Sequence, residues 1–388
     1  MPTLKKLRVG VIYGGRSGEH EVSVASAAAV MANLDRARYE PVPIRIERDG
    51  RWALADKPPT AASAADVIEQ TRADVKALRA GREVHLLARP NEETLLTIDR
   101  TPGRGDDESR AVVTGVGIDV IFPVLHGPHG EDGTVQGLLE LANVPYVGCG
   151  VLASALGMDK AAMKLAFAAS HLPICPYAVV YRREVLTEPA AIADDLAGRL
   201  GLPLFVKPAN LGSSVGISKA RTHDELVTAL RLAADYDRKV VVEAAVPNAR
   251  ELEVAVLGND DPIASVPGEI VPSREFYDYD AKYLDGGSRL CIPADLPPAV
   301  AARLQAIALA AFRAVDGAGL SRVDFLIDGE RGEIVLNEIN TMPGFTTISM
   351  YSKLWTASGI AYPDLVDRLI ALAIERHADK QQLRVSAF

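Results

Sequence analysis

Ser321-Arg322-Val323-Asp324-Phe325-Leu326-Ile327, the turn Asp328–Gly332, and Glu333-Ile334-Val335-Leu336-Asn337-Glu338-Ile339-Asn340 decide how this chain is read. Two apolar runs flank an Asp-Gly turn, a pattern that predicts an antiparallel hairpin. Side chains alternate across a strand, so Arg322 and Asp324 share one face, and Glu338 and Asn340 share one. With a five-residue loop, Asp324 lies opposite Leu336 and Arg322 opposite Glu338, and all four polar side chains point to one side. A one-residue change of register separates them. Apolar neighbours imply a buried site, and buried carboxylates need cations. Asp324, Glu338 and Asn340 offer the hard oxygen donors that suit Mg2+ together with nucleotide phosphates. Two ions bridged by a carboxylate would neutralise the charge on a transferring phosphoryl group. A solvated sheet face with ordinary charges is the alternative.

Further positive charge comes from lysines. Lys207 ends the apolar strand Leu204–Lys207, just before Ala209–Gly216. Glycines in that loop let backbone N–H groups approach a phosphate, and Ser213 and Ser214 add hydroxyls. This is not a G-x-x-x-x-G-K-[ST] loop, and neither Lys207 nor Lys160 is diagnostic alone.

Upstream, Leu7–Tyr13 is an apolar run ending at Gly14-Gly15, followed by an Ala-rich helix over about 21–34 and a strand over Tyr39–Ile46. Strand, glycine turn, helix, strand opens a doubly wound α/β domain. Residues 49–112 break this rhythm and read as an insertion with a mobile tip at Thr101–Arg110. The α/β pattern resumes at Ile118–Leu125, followed by the loop His126–Gly133 and a helix to about Ala142. A helix from Ser154 to about Ser170 carries Met158-Asp159-Lys160. Helices over Pro298–Val315 and Pro363–His377 complete the pattern.

A chain of 388 residues has room for two or three cores. Its net charge of −9 is spread along the sequence, with no Lys/Arg-rich run to suggest nucleic acid or an anionic membrane. No stretch reaches the ~20 apolar residues of a membrane span, and the first apolar run is too short for a signal sequence. Cys149, Cys175 and Cys291 are odd in number and widely spaced, which fits apolar fillers in a reducing, cytoplasmic compartment.

Taken in order, Met158-Asp159-Lys160, Val206-Lys207-Pro208 with Gly212–Gly216, Arg322-Val323-Asp324, and Asn337–Asn340 with Pro343-Gly344 resemble the ATP-grasp enzymes. Gly14–Ser23, His126-Gly127 with Glu131-Asp132-Gly133, and Glu275–Tyr279 with Ala281-Lys282-Tyr283 narrow the resemblance to the D-alanine–D-alanine ligases. The match spans nearly all of the chain outside 49–112. It implies an α/β fold: a doubly wound, Rossmann-like domain over 1–150, then a two-lobed α+β ATP-grasp domain over 151–242 and 243–388.

The resemblance also implies roles. Lys160, Lys207 and Ser214 would hold ATP phosphates, with Glu243 and Glu251 serving the adenosine. Asp324, Glu338 and Asn340 would hold two Mg2+ ions, with Mn2+ as an alternative. Arg322 and the Gly344 N–H would stabilise an oxyanion. Glu19 would receive the ammonium of a first D-alanine, with His126 near its carboxylate. Ser213 and Tyr283 would complete a triad with Glu19, and Lys282 would reach the transferred phosphoryl group. Ser349 and Met350 would hold the carboxylate of a second D-alanine. The segment Tyr277–Tyr283 would form a lid. A homodimer through the first domain is expected, with neither nucleic acid nor membrane as partner. The rival readings are a D-alanine–D-lactate or other ATP-grasp carboxylate–amine ligase, and a non-catalytic nucleotide sensor.

Overall fold

The computed structural model describes residues 5–73, 81–88, 95–101, 110–271 and 289–384. Its first sheet is built around Leu7–Gly14, flanked in parallel by Tyr39–Ile46 and Val120–Val124. Val9, Val11, Val120, Phe122 and Val124 pack on one face with the helix His20–Ala32. Ile12, Ile44 and Ile121 pack on the other with the helix Thr134–Ala142. A central strand covered on both faces reads as a continuous apolar run, and Val120–Val124 is buried throughout.

The insertion extends this sheet. Trp52–Ala55, Gly81–Leu86, Leu95–Thr101 and Arg110–Val116 pair antiparallel in succession, outward from Tyr39–Ile46. Strands such as Gly-Arg-Glu-Val-His-Leu carry a weak apolar signal, which hid them in the sequence. The tip, 102–109, lies outside the described residues.

A second, four-stranded antiparallel sheet runs in the order Ser218–Ala220, Leu204–Pro208, Lys239–Ala244, Tyr177–Tyr181. Its core, with Leu196, Leu204, Val206, Leu226, Leu230 and Val242, is drawn entirely from residues 178–242. The boundary expected at 242/243 falls inside the strand Lys239–Ala244, so this sheet runs two residues further. The single helix expected from Ser154 is two, Val151–Met158 and Lys160–Ala169, broken at Asp159.

The third sheet has the order Arg289–Cys291, Gly268–Val271, Arg250–Gly258, Gly319–Ile327, Ile334–Asn340, with Ile263–Ala264 beside Arg250–Gly258. Leu304, Ala308 and Phe312 of the helix Pro298–Ala314 pack on Val323, Phe325, Leu336 and Ile339. Tyr351, Trp355, Leu365 and Leu369, from the last two helices, join Val9, Val11 and Phe122 in one core. Early and late parts of the chain therefore bury each other, while the middle sheet keeps its own core. No helix among the described residues is long and apolar enough to cross a membrane.

Candidate active site

The hairpin Gly319–Ile327/Ile334–Asn340 forms with a register other than the one expected. Ile327 pairs with Ile334, so the connection holds six residues, not five. A β-bulge between Asp324 and Phe325 then shifts the ladder, placing Asp324 opposite Glu338 and Arg322 opposite Asn340. The core takes Val323 and Phe325 from one strand and Leu336 and Ile339 from the other. The extra residue between Leu336 and Ile339 is what keeps Glu338 and Asn340 on the face of Arg322 and Asp324. It also makes Asn337 and Glu338 half-exposed neighbours, and Asn337 accepts from Lys207 Nζ at 3.3 Å.

Arg322 grips Asp324 bidentately, Nε to Oδ1 at 2.7 Å and Nη2 to Oδ2 at 2.6 Å, and its Nε lies 3.2 Å from Glu253 Oε2 on the neighbouring strand. Burial acts to lower the guanidinium's pKa, but Asp324, Glu253 and Glu338 outweigh it and hold it well above its ordinary value. Asn340 Oδ1 accepts from the Met342 N–H at 2.9 Å. Glu338 Oε2 stands 4.0 Å from Lys160 Nζ. Two carboxylates directly opposite each other on paired strands repel unless cations lie between them. Among the described residues no three His, Cys, Asp or Glu side chains gather as a metal cage. Two carboxylates and one amide oxygen instead fit an ion that keeps several waters and binds phosphate oxygens, as Mg2+ does.

Asp159 explains the Met-Asp-Lys triplet. As N-cap of Lys160–Ala169 its Oδ1 accepts from the N–H groups of Ala161 and Ala162, both at 3.1 Å, and its side chain also pairs with Lys239. Lys160 thus begins the helix, buried, donating to the Leu211 carbonyl at 2.7 Å. Lys207 Nζ donates to Glu243 Oε2 at 2.8 Å. Burial would lower the Lys207 ammonium, but Glu243 and Glu338 raise it above its usual value. Glu243 is also buried, which alone would raise it; Lys207 and Lys164 outweigh this and hold it at about 2. Glu251 lies two residues before Glu253, so strand alternation puts both on the Arg322–Asp324 face.

Around Glu19 three segments converge. Glu19 is the N-cap of the first helix but makes no side-chain capping bond; its Oε1 accepts from Ser213 Oγ. Ser213 and Ser214 both take left-handed backbone, φ +50° and +60°, a costly conformation for serine of the kind found at ligand clamps. A Cβ on Gly127 (φ +74°) would stand 2.7 Å from Glu19 Oε2, and one on Gly212 would stand 2.9 Å away. Only glycines admit the carboxylate there. Burial, then the charge of Glu19, pushes the Glu131 carboxyl well above its usual value, while it accepts from the Gly127 N–H at 2.6 Å.

His126 is buried, with Nδ1 3.0 Å from the Met342 carbonyl and Nε2 3.2 Å from Ser26 Oγ. A carbonyl only accepts, so Nδ1 carries the proton and Nε2 receives the Ser26 hydroxyl. Ser26 Oγ in turn accepts from the Phe345 N–H at 3.1 Å, tying the first helix to the loop that holds Gly344. Desolvation holds the imidazole at about 4. A Cβ on Gly344 would meet Ser349 Oγ at 2.9 Å, and Ser349 precedes the helix Met350–Ala357. Lys282, Tyr283 and the expected lid lie outside the described residues.

The ordered arrangement is matched by family models for both halves of the chain: "D-ala D-ala ligase N-terminus" over 8–149 and "D-ala D-ala ligase C-terminus" over 166–371. The chain belongs to the D-alanine–D-alanine ligase family. A D-alanine–D-alanine ligase of Heliobacterium modesticaldum is 52% identical over 98% of this chain and 98% of that protein. One from Chloroherpeton thalassium is 47% identical over 98% of this chain and all of its own length. Among solved structures, the Coxiella burnetii D-alanine–D-alanine ligase superposes with TM-score 0.78 at 36% identity, covering 97% and 96% of the two chains. The VanG D-Ala:D-Ser ligase of Enterococcus faecalis gives 0.76 at 33%, covering 95% and 100%. The fold is thus the α/β, ATP-grasp architecture of this ligase family.

Sequence reasoning missed Lys164, Asn337, Glu253 and Glu131 as site residues. Lys164 lies one turn after Lys160 and looks like a surface lysine. Asn337 was legible in principle, because the apolar spacing Ile334, Leu336, Ile339 breaks the period of two. Glu253 carries no local signal, and Glu131 stands in the Glu131-Asp132-Gly133 motif without a role read from it.

Proposed function

We propose that the chain joins two D-alanine molecules into D-alanyl-D-alanine, for peptidoglycan precursors, using ATP and passing through an acyl phosphate. One observation supports the residue assignment: a short chain of contacts runs from the Glu19–Ser213 pocket to the Asp324–Glu338–Asn340 face. Gly127 lies against the Glu19 carboxylate, its neighbour His126 bonds the Met342 carbonyl at 3.0 Å, and the Met342 N–H donates to Asn340 Oδ1 at 2.9 Å. The first carboxylate is a poor acyl donor until an oxygen takes the γ-phosphoryl group of ATP and ADP departs. The second D-alanine's neutral amine then attacks the acyl carbon, a C–N bond forms, phosphate leaves with the C–O electrons, and the amine loses a proton.

In this reading Glu19, held by Ser213, receives the first ammonium, and His126 anchors the loops beside its carboxylate. Lys160, Lys207 and Ser214 bind ATP phosphates, while Glu243 and Glu251 border the adenosine. Arg322 and the Gly344 N–H stabilise the tetrahedral oxyanion. Ser349 and Met350 hold the second carboxylate. Lys282 and Tyr283 complete the phosphoryl site and the lid. Asp324, Glu338 and Asn340 hold Mg2+, which when bound screens the phosphate charge. We further propose a cytoplasmic homodimer, which sedimentation velocity tests.

ADP release that depends on D-alanine, with D-alanyl-D-alanine as product, is the expected result. ATP binding without turnover would support a sensor, and predominant ester with added D-lactate, or mixed dipeptide with D-serine, would move the assignment to those ligases. Asp324→Asn and Glu338→Gln should each cut kcat by about 100-fold or more. Near-wild-type turnover in either removes the metal assignment.

A further inference from the structure

We propose that Lys164 is a positioning residue of the nucleotide site: a fixed counter-charge behind Glu243 that keeps Lys207 available to an incoming phosphate. The inference rests on the reading of Lys207 as a phosphate ligand.

Lys164 is fully buried on the helix that begins at Lys160. Its Nζ lies 3.1 Å from Glu243 Oε1 and 3.8 Å from Cys175 Sγ, and sits 5.7 Å from the centre of the Tyr177 ring. Glu243 Oε2, the other oxygen, takes Lys207 at 2.8 Å and stands 3.6 Å from Cys175 Sγ. One buried carboxylate therefore carries two ammonium groups, one on each oxygen. The two lysines differ in what else they can do. Lys164 has no exposed surface and no path to a ligand, whereas the Lys207 side chain is 11% exposed and already has a second acceptor in Asn337.

A buried one-to-one pair of Glu243 and Lys207 would be self-neutralising. A phosphate drawing Lys207 away would then leave a buried carboxylate without compensation, a costly arrangement. With Lys164 in place, Glu243 stays paired while Lys207 turns to the phosphate. Lys164 thus acts on ATP through two other side chains and touches no substrate.

The test is ATP affinity, by titration calorimetry without D-alanine, for wild type, Lys164→Met, Glu243→Gln and Lys164→Met/Glu243→Gln, so that any direct loss from Glu243 at the adenosine is read separately. The single variant should weaken ATP about tenfold, because Glu243 then holds Lys207 alone. In the Glu243→Gln background Lys164→Met, which leaves both charges gone at nearly constant volume, should weaken ATP by less than about threefold. A merely structural Lys164 predicts the same loss in both backgrounds, and that result overturns the proposal. So does undiminished affinity in Lys164→Met. If Lys164→Met does not fold, Lys164→Gln and its Glu243→Gln partner are read by the same criterion. Lys207→Met separates the parent reading: unchanged ATP affinity there removes Lys207 as a phosphate ligand, whatever the Lys164 pair shows.

Discussion

Two residues show how backbone and proton chemistry shape the Glu19 pocket and the loops beside it. Gly127 has both positive φ and no room for a Cβ beside Glu19. Gly127→Ala should cost about 1–2 kcal/mol of stability and raise the KM for D-alanine on the order of tenfold. Gly137→Ala is the control. It sits in a helix with nothing within 4 Å of the added carbon, and should gain about 0.5–1 kcal/mol. Thermal melts and initial rates on both variants decide the matter. His126 gives a pH signature. Its imidazole titrates at about 6.5 in the unfolded chain but only at about 4 in the fold. Between those values the unfolded chain binds the proton and the folded chain does not. The His126 contribution is therefore complete above 6.5 and is lost as pH falls towards 4, by about 3 kcal/mol. His126→Asn keeps a donor for Met342 and an acceptor for Ser26, so its urea-melt stability should fall less over that range. Parallel curves for the two proteins would show that His126 does not titrate this way.

Among elements, the helix Lys160–Ala169 is the one whose start matters most. Asp159→Ala removes two capping bonds and should cost about 1 kcal/mol, with weaker ATP binding because Lys160 is the first helical residue. Asp159→Asn keeps the cap but not the charge facing Lys239, and should recover most of the stability. If calorimetry finds the Asn variant no better than Ala, the cap is not what holds the turn. The same element shows what the sequence could and could not disclose. Its motif was plain, yet the helix break was not, since Asp159 satisfies helical and capping patterns alike. The hairpin taught a similar lesson: the polar set was visible, but its register was inferred from loop length. In the structure the face is decided by which apolar residues the core accepts, and the bulge absorbs the mismatch. Glu19, Lys207 and Ser213 were legible through ordered motifs. Lys164 and Glu253 were not, because burial of a charge depends on partners from distant segments.

For the whole molecule, the distribution of cores predicts how it moves. Residues 178–242 bury one another, whereas the first sheet and the last helices share a single core. Arg376 seals the latter union by donating to the Gly148 and Tyr146 carbonyls, and its guanidinium lies 4.4 Å from the centre of the Tyr146 ring. Hydrogen exchange should therefore show 177–244 opening as one cooperative body, with ATP slowing exchange about tenfold or more at Leu204–Ala220 and Lys239–Ala244. Protection confined to Gly319–Asn340 would mean the nucleotide does not bridge the two bodies. The Glu19 pocket lies across that same division, with Gly127 on one side and Gly212 on the other. Its walls there are peptide backbone, and backbone cannot be traded for another side chain. A small molecule that filled this pocket would leave the cell few routes of mutational escape, since replacing either glycine would crowd the Glu19 carboxylate, the group proposed to receive the substrate ammonium.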